Sequence, residues 1–225
     1  VLHSISKSLT DTPEVASLGC LALPNIAISN PDSGKDDSCL SPFFQQVISL
    51  LLRATERQDI EGTDLANSAF EAIVVWISNS SQKTIPLVKS LCDNFIKRLK
   101  TSFSVSTHTS SDVELRIQQQ GHICAVLLVI VQKLEGLVKP YARSMIDLYV
   151  QIFKSSGGSA YVHEDALMAV GSVATALEND FLPFVDEVMP YITKGLSAVQ
   201  QHAVCTASVG ALSDIARAIG PNFAR

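Results

Sequence analysis

The chain has 225 residues, 47% of them hydrophobic and 17% charged, with 9 Pro, 11 Gly and a formal net charge of −5. The apolar fraction excludes a disordered chain, and the modest Pro and Gly content excludes a collagenous or low-complexity one. The acidic balance disfavours nucleic acid, which wants a basic face, and favours a basic protein partner. The longest apolar run, Ile123 to Val131, is far short of the roughly 20 residues a bilayer requires, so a soluble chain without membrane insertion is expected.

Taken in order, the elements are helices in pairs. Val1-Leu2-His3-Ser4-Ile5 reads as the interior of an amphipathic helix with no Met before it and no signal peptide. Residues 1–9 and 13–28 look like the tail of one first helix and its complete partner. Helices follow near 42–57 and 64–79, parted by Gln58 to Thr63, and near 83–104 and 112–134, parted by Ser106 to Ser111. The β-branched run within Ile123 to Val131 would suit a buried strand, but its continuity with Leu115 to Gln120 exceeds the 4–8 residues of a strand and favours a long helix. After Pro140, a residue that a first turn tolerates, the residues Tyr141, Met145, Leu148, Tyr149, Ile152 and Phe153 form one helical stripe. Ser155 to Ser159 stops that helix. The next begins at about His163 and ends at Leu177, with Glu164 and Asp165 in a first turn where the helix dipole favours negative charge. A last pair spans about 181–198 and 200–218, and Pro190 should kink its first member.

Internal repetition sets the architecture. Small residues recur near the starts of the second helices, in Glu14-Val15-Ala16-Ser17, Asn67-Ser68-Ala69-Phe70, Glu164-Asp165-Ala166-Leu167 and Gln201-His202-Ala203-Val204. Ala16 to Ala203 divides into four unequal intervals averaging about 47 residues, the length of HEAT or armadillo units. The expected fold is all-α, an α-solenoid of antiparallel HEAT-repeat helix pairs. It comprises about four and a half repeats at 1–29, 42–79, 82–134, 137–177 and 181–219, cut from a longer array. A compact helical bundle is the alternative.

No catalytic constellation competes. The five cysteines, Cys20, Cys39, Cys92, Cys124 and Cys205, are odd in number and contain no C-x-x-C pair, so reduced, mostly buried thiols are expected. His3, His108, His122, His163 and His202 form no metal-like pair. Gly157-Gly158 lacks the Lys-Ser/Thr of a phosphate loop, and no serine sits in a G-x-S-x-G context. Neither enzymatic activity, nor a cofactor, nor a metal is expected.

His163-Glu164-Asp165-Ala166-Leu167-Met168-Ala169-Val170 resembles the second-helix motif of the importin beta family of nuclear-import karyopherins. Further segments agree in the same order: Pro13 to Ser17 with Cys20, Asn67 to Ala72, Arg116-Ile117-Gln118, Cys124-Ala125, and Val204-Cys205 with Ala207 to Gly210. The resemblance covers essentially the whole chain and places it in the middle of the family's superhelix. The chain departs from the family at Leu21, where members carry a Trp used in cargo contact.

In such a superhelix second helices line the concave side, which wraps partners. The partner-binding candidates there are Asn67, Glu71, Asp112, Gln118, Gln119, Glu164, Asp165 and Gln201, with Trp76 as an aromatic anchor. Carboxylates would meet Lys and Arg through charge-assisted hydrogen bonds, and Trp76 would take a cation on its face. Alternatively these acids serve only the helix dipole and Trp76 is core. The resemblance further implies importin alpha adaptor or basic cargo on the concave face, release by Ran-GTP acting mainly through parts outside this segment, and phenylalanine-glycine nucleoporin repeats between first helices outside. The nucleoporin contact would fall near Phe184, Val188 and Ile192. It also implies residence in cytoplasm and nucleus and at the nuclear pore. A non-transport HEAT scaffold subunit is the competing reading.

Overall fold

The computed structural model describes residues 2–30, 36–57, 59, 63–105, 109–155 and 160–224. Val1, His108 and most of the polar joins named above, including Ser156 to Ser159 with Gly157-Gly158, lie outside the described residues. The chain forms two compact units, Val1–Ser90 and Leu91–Arg225. Ten α-helices lie among the described residues, and α5 carries the division between the units.

The first unit contains α1 (Leu2–Ser8), α2 (Pro13–Ser29), α3 (Ser41–Ala54) and α4 (Leu65–Ser78), then a 3-10 turn at Gln82–Thr84 and the start of α5 (Ile85–Ser102). Here the small-residue signature does what its chemistry allows. Ala16, Gly19, Cys20 and Leu23 of α2 are buried, as are Ser68, Ala69 and Ile73 of α4, and the Ser17 and Ser68 hydroxyls meet across the two helices at 3.1 Å. Gly19 lets α2 lie close to α1, since a Cβ there would displace the Ser8 side chain. On α3, Phe44, Val47, Ile48 and Leu51 recur at three- and four-residue spacing and are all buried, each such side chain contributing about 1.5–3 kcal/mol.

The second unit holds the rest of α5, then α6 (Ser110–Leu134), α7 (Ala142–Ser155), α8 (Ala160–Leu177), α9 (Val185–Leu196) and α10 (His202–Ile219). Helix α6 opens with a reciprocal capping box: Asp112 N–H donates to Thr109 Oγ1 at 3.1 Å, and Thr109 N–H donates to Asp112 Oδ2 at 2.9 Å. The ambiguous apolar run is helical, as its length predicts. Ile123, Cys124, Leu127, Ile130 and Val131 of α6 are fully buried because α6 is packed on more than one side, and this removes the alternation a half-exposed helix would show. Gln120 Nε2 donates to Ser102 Oγ at 3.0 Å and ties α6 to α5.

Several boundaries differ from expectation. The stretches before α7 and α9 are 3-10 turns, Glu135–Tyr141 and Glu178–Phe184, because Pro140 and Pro183 lack an N–H and tighten the winding instead of opening an α-helix. Helix α8 begins at Ala160, earlier than His163, so Glu164 and Asp165 sit beyond its first turn and are not dipole partners. Two stretches, Ser110–Ser155 and His202–Phe223, are long and apolar enough by composition to cross a bilayer. The first is interrupted by the Pro140 turn, and most of its apolar side chains are buried in the unit.

Candidate functional site

Three second helices of the second unit, α6, α8 and α10, lie side by side with α8 in the middle. Small residues bring them together. A Cβ at Gly171 of α8 would lie 2.8 Å from Asp214 Oδ2 and 3.3 Å from the Ala211 Cα of α10. A Cβ at Gly121 of α6 would lie 2.6 Å from Asp165 Oδ2 of α8, and Ser172 Oγ of α8 donates to the Leu128 carbonyl of α6 at 3.3 Å.

Across these helices runs an open groove of about 1090 Å³. Leu128, Met168, Ala207 and Ala211 give it an apolar floor, Ser172, Thr175 and Thr206 add hydroxyls, and Glu135, Glu164, Glu178, Asp180 and Asp214 line it with carboxylates. Arg217 is the basic residue of the lining, and it reaches Asp214 at 3.5 Å. Asp180 is engaged by Lys139 at 2.6 Å, while Lys133 on the last turn of α6 lies in the field of Glu135. The lining is therefore acidic and partly apolar, the chemistry that receives an amphipathic segment bearing Lys or Arg.

Of the residues the sequence suggested, Glu164 lies in this groove. Its neighbour Asp165 points elsewhere, as residues about 100° apart on a helix must: its carboxyl is packed against Gly121, and burial, then the charge of Glu164, pushes it up to about 6. Asp112 serves the capping box of α6. Glu71, Gln118, Gln119 and Gln201 are exposed, and Asn67 Nδ2 donates to Asp64 Oδ1 at 2.6 Å.

Three expectations are corrected. Trp76 is 2% exposed and its Nε1 donates to the Leu23 carbonyl at 3.2 Å; its ring fills the core between α2 and α4 and offers no face to a partner. Val188 and Ile192 are fully buried, because the stripe they form on α9 is its core-facing side. Phe184 is half-buried, with the Arg143 guanidinium over its ring at 5.5 Å, and that guanidinium is held by Glu187 at 2.7 Å and by Asp147. An apolar docking groove at these three residues is therefore absent.

Sequence reasoning missed Glu135, Glu178, Asp180 and Asp214. A usable signal was present: Leu134-Glu135 and Leu177-Glu178 each stand at the end of a second helix, followed at equal spacing by buried Val138 and Phe181 and by Pro140 and Pro183. Among the described residues no group of His, Cys, Asp and Glu is arranged to hold a metal ion.

The family model described as importin subunit beta-1-like, TPR repeats, matches residues 1–225. The chain belongs to the importin subunit beta-1-like family. It is 30% identical to importin subunit beta-1 of Arabidopsis thaliana over 224 residues, covering 97% of this chain and 25% of that one. It is 26% identical to importin subunit beta-1 of Schizosaccharomyces pombe over 223 residues, covering 97% and 26%. A crystal structure of importin beta in an ammonium sulfate condition superposes with a TM-score of 0.91 at 25% identity, covering 97% of this chain and 26% of that one. Kap95 in a complex with Nup1 gives a TM-score of 0.88 at 23% identity over 100% and 26% of the two chains. Kap95p in a structure concerning the switch loops of RanGDP gives 0.83 at 22% over 99% and 26%. The fold class is thus an all-α solenoid of helix pairs, as the repeat pattern predicted, and the family is one of nucleocytoplasmic transport receptors. The chain spans about a quarter of the length of the curated relatives it matches.

Proposed function

We propose that this chain is the part of a nuclear transport receptor that holds a basic segment of an adaptor of the importin alpha kind, or of a cargo protein, along the groove formed by α6, α8 and α10. The observation that carries this reading is the groove itself: an apolar floor on three packed second helices ringed by five carboxylates, Glu164 and Asp214 on the helices and Glu135, Glu178 and Asp180 in the 3-10 turns after them, with Arg217 the basic residue among them. A bound amphipathic helix would lay its apolar side on Met168 and Leu128 and direct its cations to Glu135, Glu164 and Glu178. In a solenoid the second helices form the face that wraps partners, which agrees with this assignment. The family relationship supports Ran and nucleoporins as further partners, since Kap95 has been solved in a complex with Nup1 and in a structure concerning RanGDP; release by Ran-GTP, acting mainly outside this segment, is part of the same proposal. The buried positions of Val188 and Ile192 move any nucleoporin contact away from them.

The test is binding of a fluorescent basic amphipathic helical peptide to this chain at about 50 mM and 200 mM salt. Saturable binding that weakens as salt rises is expected, because the Debye length that screens exposed carboxylates shortens from about 14 Å to about 7 Å between the two salts. Glu164→Lys should weaken it several-fold at low salt and less at high salt. Absence of binding at both salts, or an affinity indifferent to Glu164→Lys, would refute the reading.

A further inference from the structure

The described glycines divide by the reason each is there. Gly19, Gly121, Gly171 and Gly195 face a neighbouring helix so closely that a Cβ would press on one of its side chains. Gly220 stands at φ 52°, a conformation that glycine enters at no steric cost. Gly136 and Gly210 have neither reason: nothing lies within 4 Å of where a Cβ would be, and neither has a positive φ. Both line the groove. Gly136 stands in the 3-10 turn after α6, outside any α-helix. Gly210 is the anomaly, because it lies inside α10, where a glycine weakens the helix relative to alanine and the fold gains no close packing in return.

The repeat shows which way Gly210 faces. It stands nine residues before the last residue of α10, and Met168 stands nine residues before the last residue of α8. Met168 lines the groove and is 40% exposed, so α10 does not cover it; α8 receives α10 at Gly171 instead. The same place on α10 therefore looks into the groove, not toward a packed helix. Resting on the reading that the groove takes a basic segment, we propose that Gly210 is kept bare for that segment: a basic helix laid in the groove rests directly on the backbone of α10 at Gly210, in the hollow beside the Met168 side chain. A missing Cβ lets a ligand approach the backbone closely. Ala203 and Ala207, on the same lining one and two turns earlier, keep the approach low along α10. The carboxylates around the groove select the charge of the segment, and Gly210 sets how deeply it seats.

The test is titration of a fluorescent basic amphipathic helical peptide into the 225-residue chain and its G210A, G210L and S213L variants, at about 50 mM and about 200 mM salt. Ser213 is exposed on the same helix outside the groove, so S213L adds the same bulk elsewhere. G210A should unfold at the temperature of the unaltered chain or higher, since alanine favours the helix, and yet bind the peptide several-fold more weakly. G210L should lose about tenfold in affinity, and S213L should bind as the unaltered chain does. The ratio of affinities at the two salts should be unchanged in G210A, because the loss is steric and no charge is altered. Unchanged or tighter binding by G210A and G210L, with binding by the unaltered chain intact, overturns this assignment and leaves the groove reading standing. An equal loss in S213L, or a G210A that binds weakly only because it unfolds earlier, overturns it as well. No binding by the unaltered chain overturns both readings.

Discussion

Asp165 shows how far a residue's role depends on what lies opposite it. Its neighbour Glu164 faces the groove, whereas Asp165 is packed against Gly121 with Cys124 of α6 in its field, and its pKa is pushed up to about 6 by burial and then by Glu164. The unfolded value is about 3.9, so the folded chain binds more protons between about pH 4 and pH 6. Burial of the charged form therefore costs stability fully above pH 6 and not at all below pH 4. Asp165→Asn removes the charge at nearly constant shape and should stabilise the chain by about 1–2 kcal/mol at pH 7.5, after allowance for solvent screening. The gain should vanish at pH 4. Denaturant unfolding at the two pH values decides it, and an equal gain at both would show that the charge is not the cause. In the sequence the two acids are indistinguishable, because which side of α8 meets α6 is not encoded in either of them.

At the scale of elements, α8 and α10 depend on close approach. Gly171→Val should destabilise by about 1–3 kcal/mol, since its side chain would press on Asp214 and on the backbone of Ala211. Gly210 of the neighbouring helix has nothing within 4 Å of where a Cβ would lie. Gly210→Ala should accordingly gain about 0.5–1 kcal/mol from helix propensity alone. Thermal or denaturant melts of the pair test whether helix approach or propensity governs this packing; equal shifts in the two variants would reject the distinction. The helices themselves were legible because stripes such as Met145, Leu148, Tyr149 and Ile152 state their period directly. Their junctions were less so. Pro140 and Pro183 permit either a first α-helical turn or a 3-10 turn, and the packing of Val138 and Phe181 beneath them accompanies the second choice.

At the scale of the whole molecule, the cysteines report how burial is distributed. Cys20, Cys92 and Cys124 are buried, Cys205 is half-buried and Cys39 is exposed. Burial pushes the thiols of Cys20 and Cys92 up to about 12 and that of Cys124 well above its ordinary value, which suppresses the reactive thiolate. A thiol reagent at pH 8 should therefore modify Cys39 at once, Cys205 slowly and the other three only on unfolding. Mass spectrometry of timed samples checks this, and early modification of Cys20, Cys92 or Cys124 would contradict the packing described.

The sequence by itself determined the helix pairs, the repeat and the family, because periodicity and ordered motifs are local properties of the chain. It also named Glu164, which lines the groove. Tertiary structure alone decided that Trp76, Val188 and Ile192 are core, that Asp112 is a cap, and that Glu135 and Glu178 face the groove at the exits of their helices. The reason is physical. Hydrophobic periodicity says that a helix has a buried face, but a continuous apolar run such as Ile123 to Val131 of α6, or an aromatic such as Trp76, satisfies the same pattern whether a neighbouring helix or a partner covers it. Only the neighbour, once present, assigns the side.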